Sequence, residues 1–167
     1  MSSTSAPESS HPDGSPANAE PQRASGSCLC GAVRFRVTGP LRPVIYCHCT
    51  MCRRSTGHYV AATACAREHL QLDAAQGLRW YSSSTVARRG FCGHCGSQLF
   101  WERHGAPYVS ILAGTLALPT GLEALQHIHV ADAGDYYEIA DGLPQHAAGS
   151  PAPWVPARDN PASEADR

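Results

Sequence analysis

The sequence predicts an all-β, sheet-rich single domain with little helix. Three observations carry that expectation. Apolar residues alternate with polar ones over short runs instead of recurring at helical spacing. Glycine and proline, 15 and 13 of the 167 residues, interrupt those runs too often for long helices. Seven of the eight cysteines fall into three tight clusters, Cys28-x-Cys30, Cys47-x-Cys49-x2-Cys52 and Cys92-x2-Cys95. A small β-rich core gains from such staples.

Residues 1–25 are rich in Ser, Pro, Ala, Gly and Glu without apolar periodicity, which predicts a disordered N-terminal tail. The zinc-binding domain is expected over residues 26–146. Residues 32–38 alternate cleanly, with Val33, Phe35 and Val37 on one side and Arg34, Arg36 and Thr38 on the other, as in a half-buried strand. Gly39-Pro40 ends it. Residues 43–46 form a short extended run that delivers the chain to the second cysteine cluster. A helical turn or loop is expected over 53–57 and a strand over 58–65. The runs 70–72 and 78–81 flank a glycine-containing turn and predict a hairpin. Residues 86–91 lead into the third cluster, and 97–101 lead out of it as a strand. Further strands are expected at 108–112 and 127–130, with room for one helical turn over 119–125. Residues 147–167 form a Pro/Ala-rich tail, within which Trp154 and Val155 could dock on the domain.

The net charge of −1 offers no electrostatic case for nucleic acid or a membrane surface as a partner. No apolar run approaches a membrane span, and the first residues carry neither a basic start nor an apolar signal core, so a cytoplasmic protein is expected. In that compartment clustered cysteines favour metal over disulfides.

Cys92-Gly93-His94-Cys95-Gly96 has the form of a zinc knuckle, whose glycines permit the tight turn that brings backbone N–H groups toward sulfur. The competing reading is a redox pair, which lacks the following helix that such a motif needs. Cys28 and Cys30 cannot fill a tetrahedron alone and need partners from elsewhere. Cys47, Cys49 and Cys52 can take three corners of one ion. Two zinc ions need eight ligands and the clusters supply seven, so a four-plus-three division leaves one site closed and one open. Spacing alone does not say which clusters share an ion. Cys65 reads as a buried cysteine or else as a further ligand. His48, between two ligands, is expected to turn its ring away. His58, His94 and His104 are candidate proton carriers or ordinary surface histidines. Arg53-Arg54 follows the second cluster and Arg88-Arg89 precedes the third. Such guanidinium groups would temper a metal–thiolate charge and attract a substrate carboxylate, or they are plain surface charge.

The string from Gly26 through Cys28-Leu29-Cys30-Gly31 to Phe35 resembles the start of the glutathione-dependent formaldehyde-activating family, also represented in centromere protein V. The resemblance continues through Cys47-His48-Cys49-Thr50-Met51-Cys52-Arg53-Arg54-Ser55-Thr56-Gly57 and Arg89-Gly90-Phe91-Cys92-Gly93-His94-Cys95-Gly96-Ser97. It closes with His127-Ile128-His129-Val130 and with Tyr137-Glu138-Ile139-Ala140-Asp141-Gly142. It implies a β-tent fold of antiparallel sheets, a structural zinc on Cys28, Cys30, Cys92 and Cys95, and a second zinc on Cys47, Cys49 and Cys52. It further implies a carbon–sulfur lyase that joins glutathione and formaldehyde as S-hydroxymethylglutathione.

The expected protein is therefore a zinc-dependent enzyme acting on a small-molecule thiol or thiol adduct, with glutathione as co-substrate. Arg53, Arg54 and Arg89 would hold substrate carboxylates. His58 stands where the family has a small residue after glycine, and would alter the pocket or donate a proton. The alternative is a non-catalytic zinc-stabilised binding or interaction module, whose second zinc needs no open position.

Overall fold

The structure, a computed structural model, describes residues 23–151. Alternating short runs become strands because their apolar residues can be buried on one side only. In chain order these are β1 (Ala24–Ser27), β2 (Arg34–Val37), β3 (Val44–Cys47), β4 (Val60–Ala66), β5 (Leu70–Ala74) and β6 (Leu78–Ser82). They continue with β7 (Ala87–Cys92), β8 (Gln98–Arg103), β9 (Tyr108–Leu112), β10 (Ala124–Ile128) and β11 (Gln145–His146). The α-helix α1 (Thr50–Thr56) lies between β3 and β4. The all-β expectation holds.

The strands form a three-stranded sheet, β1-β2-β5, and an eight-stranded sheet, β11-β10-β3-β4-β9-β8-β7-β6. Pairing is antiparallel except at β3–β10 and β10–β11. The exception follows from connectivity. β9 runs in the direction of β3, and the connection after Leu112 carries the chain back to where β3 starts. There the Val44 N–H donates to the Glu123 carbonyl at 2.8 Å, and β10 sets off alongside β3 in the same direction. That pull toward strand pairing explains why 119–125 forms no helical turn: the segment is irregular until Ala124 and then extended.

The expected hairpin of 70–72 with 78–81 also does not form. β5 pairs with β2, whereas β6 pairs with β7, so the turn between them passes the chain from one sheet to the other. Nor does the domain start at residue 26. β1 begins at Ala24, within the expected tail, and the Arg23 N–H already donates to the Val37 carbonyl at 2.8 Å. At the other end, His129 N–H donates to the Ala148 carbonyl at 2.7 Å, which ties the chain beyond residue 146 to the domain. Trp154 and Val155, expected to dock, lie outside the described residues.

The core fills the space between the two sheets. Phe35 from β2 meets Phe100 from β8 edge to face at 5.1 Å between ring centroids, with Trp80 of β6 stacked on Phe100 at 6.2 Å. Val33, Val37, Leu99, Val109 and Ile111 complete the packing. Full burial of an aromatic or aliphatic side chain of this kind stabilises by roughly 1.5–3 kcal/mol. Cys65 belongs to this core and is fully buried, in agreement with the first of its two readings. Burial pushes its thiol up to about 12, so it stays protonated and unreactive.

The sheet-to-sheet turn approaches the first cysteine cluster closely at Gly77. The Gly77 N–H donates to the Ala32 carbonyl, and the Gly77 carbonyl accepts from the Gly93 N–H. A Cβ there would lie 2.9 Å from both the Cys92 sulfur and the Ala32 methyl. Gly77→Ala is therefore expected to destabilise the domain by about 1–3 kcal/mol in urea unfolding. Gly114→Ala, where a Cβ meets nothing within 4 Å, should be nearly neutral. Equal effects of the two would contradict the tight approach at Gly77.

Candidate metal centres and the adjoining cavity

Cys28 and Cys30 come from the turn between β1 and β2, while Cys92 ends β7 and Cys95 lies in the turn from β7 to β8. Gly31 and Gly96 follow the two pairs with φ of 76° and 78°, a left-handed conformation that side chains disfavour. The four sulfurs all lie within 4.8 Å of one another. Cys28 and Cys30 sulfurs are 3.6 Å apart, and those of Cys30 and Cys92 3.7 Å. A tetrahedral zinc with Zn–S bonds of about 2.3 Å needs sulfurs about 3.8 Å apart. The residues fit such an ion. Backbone N–H groups complete the surroundings: Val33 N–H donates to the Cys28 sulfur at 3.2 Å. The Ser97 hydroxyl, 3.3 Å from the Cys95 sulfur, holds that thiol down to about 5, with the Ser97 backbone assisting.

Cys47, Cys49 and Cys52 form a second group with the same mutual spacing. Cys47 ends β3, Cys49 caps α1 and accepts from the Cys52 N–H at 3.4 Å, and Cys52 lies in the first turn. The helix stops at Gly57, whose φ of 83° suits the left-handed cap and whose N–H closes on the Arg53 carbonyl. Hydrogen bonds from Cys47, then Cys52, hold the Cys49 thiol down to about 2, and the same bond to Cys49 pushes Cys47 up. The Arg89 guanidinium reaches in from β7 and directs two nitrogens at the Cys52 sulfur, at 3.7 and 3.8 Å.

This trio opens into a cavity of about 440 Å³ that also contacts Arg42, Arg89, Trp101, Tyr108 and His129. A larger depression of about 630 Å³ beside Leu29 and Leu116 includes a single cysteine, Cys28, which is only 3% exposed. The smaller cavity is therefore the one with accessible chemistry.

Strand alternation sorts the side chains around the trio. Ile45 and Cys47 face the cavity, whereas Tyr46 and His48 face the other way, into an aromatic cluster. His48 thus turns from the sulfurs, as expected, and joins a relay that runs from the buried His48 and His127 out to the exposed Asp141. Its Nδ1 is 2.6 Å from the Tyr137 hydroxyl, its Nε2 is 2.8 Å from His127 Nδ1, and His127 Nε2 is 2.9 Å from Asp141 Oδ2. A chain of donors running from Tyr137 to His48, from His48 to His127 and from His127 to an ionised Asp141 satisfies every link. Burial, then the neighbouring His127, pushes the His48 pKa down.

Of the other expected site residues, only Arg89 touches the trio. Arg53 is half-buried, Arg54 is exposed, and neither lines the cavity. Both sit on the far part of the short helix. His58 is exposed and packs on Tyr59 at 4.2 Å, outside the cavity lining, as are the exposed His94 and His104. Sequence reasoning missed Arg42 and His129. The strand expected over 127–130 places His127 and His129 on one face. The strand actually ends at Ile128, and His129 adopts a left-handed φ of 56°. That reversal sends His127 into the relay and His129 to the cavity.

Fold and site together define a two-sheet β protein with two cysteine clusters, each able to hold a metal ion. The family model described as "Glutathione-dependent formaldehyde-activating enzyme" matches residues 23–132, and the chain belongs to that family. It is 29% identical over 127 residues to a Halomonas elongata protein provisionally named as a glutathione-dependent formaldehyde-activating enzyme, covering 68% of this chain and 79% of that protein. It is also 29% identical over 76 residues to an uncharacterized lyase of Schizosaccharomyces pombe, covering 46% of this chain and 55% of that one. A crystal structure of a Rhodobacter sphaeroides protein aligns with a TM-score of 0.47 at 27% identity, over 60% of this chain and 97% of that one. Among the described residues no helix is long and apolar enough to cross a membrane.

The relay makes a pH-dependent prediction. The hydrogen bond from His127, then that from the Leu143 N–H, holds the Asp141 carboxyl below its ordinary value. A depressed carboxylate contributes stability above its unfolded pKa of about 4, and that contribution is lost as pH falls through the lower folded value. Asp141→Asn should therefore lower Tm at neutral pH, and the gap to the wild type should close in acid. The difference cancels losses common to both proteins, such as thiolate protonation. A gap that stays constant with pH would contradict the ionised state of Asp141.

Proposed function

We propose that this chain is a zinc-dependent carbon–sulfur lyase-type enzyme acting on a thiol adduct. Its substrate pair would be glutathione with formaldehyde or a related aldehyde. The family and the names of the relatives support that reading. The observation that carries it is the asymmetry between the clusters: four sulfurs in one, three facing a cavity in the other. A zinc with four thiolates is coordinatively closed, and one with three keeps a position for an exogenous ligand.

In this reading Cys28, Cys30, Cys92 and Cys95 hold a structural zinc, and Cys47, Cys49 and Cys52 hold the working one. A zinc with three thiolate donors has reduced acidity, and it supplies stabilisation of a substrate thiolate rather than of hydroxide.

The reaction balances as one thiol plus one formaldehyde giving one S-hydroxymethyl thioether, with nothing released. A sulfur–carbon bond forms, the carbonyl π pair moves to oxygen, and the proton lost by sulfur ends on that oxygen. Elimination is the reverse. His129 replaces His58 as the group able to move that proton, because its side chain lines the cavity beside the three cysteines. Arg89, donating to the Cys52 sulfur, offsets the negative charge of the thiolates; its role is electrostatic rather than the binding of a substrate carboxylate.

Three variants test the division of labour, with turnover followed by formation of the hydroxymethyl thioether. Cys49→Ser should abolish turnover while the far-UV circular dichroism stays that of the wild type. Cys95→Ser should cost the folded state. His129→Ala should lower kcat by about 100-fold with the fold and zinc content retained. Equal loss of folding in both cysteine variants would contradict the structural and working assignments. A two-zinc protein with neither turnover nor thiol binding would be a zinc-stabilised binding module instead.

A further inference from the structure

The cavity has a second polar end that the reaction does not use. Arg42 precedes β3, its N–H donating to the Ala64 carbonyl at 3.0 Å, and its own carbonyl accepts from the Thr63 hydroxyl at 2.5 Å. The side chain lines the cavity, yet the residue is only 8% exposed. One guanidinium nitrogen donates to the Pro43 carbonyl at 3.0 Å. Among the described residues no carboxylate forms an ion pair with it, whereas Arg36 is paired with Asp73, and Arg67 and Arg88 with Glu102. Burial pulls its pKa down to about 10, which leaves it charged at neutral pH. A buried cation without an anion is costly, and it marks a place where an anionic ligand is expected to bind.

Strand register locates this charge relative to the sulfurs. Cys47 pairs with Val60 at one end of the cavity, and Ile45 pairs with Ala62, which pairs with Leu112. Farther along the same face come Ser110, opposite Ala64, and Tyr108, opposite Ala66. Arg42 adjoins that end. Residues 42 to 47 span roughly 16 Å of extended chain at about 3.3 Å per residue. Apolar side chains such as Ile45, Ala62 and Leu112 line the interval.

We propose that Arg42 is the specificity-determining residue of this cavity, binding a substrate carboxylate several bonds removed from the reacting sulfur. The assignment rests on the thiol reading above and sharpens it: the cavity selects an elongated anionic thiol over a short neutral one. It also moves the carboxylate contact away from Arg53 and Arg54, which lie outside the cavity lining, and from Arg89, whose guanidinium is turned to the Cys52 sulfur. Guanidinium and carboxylate meet as a two-pronged, charge-assisted pair, with Tyr108 and Ser110 close at hand.

Calorimetric titration of the zinc-loaded protein with glutathione, glutathione esterified at both carboxyls, and S-methylglutathione tests this. The wild type should bind glutathione roughly 10- to 100-fold more tightly than the diester. Arg42→Gln should erase that preference by weakening the free acid alone. Equal affinity for acid and diester in the wild type overturns the assignment without reliance on any variant. So does an Arg42→Gln loss shared equally by acid and ester. S-methylglutathione separates the two readings. If it binds with the same dependence on Arg42 but as tightly as glutathione, the Arg42 site stands and the metal–thiol reading falls. If none of the three binds, both fall.

Discussion

The convergence of Cys28, Cys30, Cys92 and Cys95 is the constraint on which the rest of the molecule depends. Two of these sulfurs come from the three-stranded sheet and two from the eight-stranded sheet, so the cluster joins turns distant in sequence. The core between the sheets is small, and a cross-link that closes a long loop is most effective where apolar burial is limited. The buried Cys92 sulfur, the close approach of Gly77 and the Phe35–Phe100 contact all belong to this seam. With the seam fixed, β7 is held in register, and β7 is the strand that presents Arg89 to the second cluster.

The second cluster depends on alternation along one strand. β3 ends in Tyr46-Cys47 and continues into His48, and its pleat sends Cys47 to the cavity and the flanking rings to the opposite side. The relay of Tyr137, His48, His127 and Asp141 then fixes the backbone between Cys47 and Cys49. Tyr137 and Asp141 lie beyond residues 23–132, where the family model matches, yet they close this network. One short strand therefore supplies both a cysteine facing the cavity and the rings packed behind it.

Most of the candidate site was legible in the sequence wherever covalent spacing dictates geometry. Three cysteines within six residues converge almost regardless of fold, and the Cys-x2-Cys knuckle with its glycines forms its own turn. Strands with clean alternation, such as the one carrying Val33, Phe35 and Val37, were equally readable. Long-range pairing was not. Nothing local distinguishes β5 and β6 as a hairpin from β5 and β6 in separate sheets, since their partners lie far off in the chain. Arg42 and His129 were hidden for related reasons. The first looks like an ordinary charged residue before a strand, and its burial is a tertiary fact. The second changes face because a histidine adopts a left-handed backbone conformation, for which a non-glycine residue carries no reliable local signal.

The proposed division of seven sulfurs between two metal ions is unequal, with one site closed and one open to a thiol. Zinc-edge X-ray absorption on the purified protein tests it most directly. Two zinc ions per chain should share seven sulfur ligands, with an eighth appearing when glutathione is added at saturating concentration. A single zinc per chain, or two zincs whose sulfur coordination is unchanged by glutathione, would contradict the account.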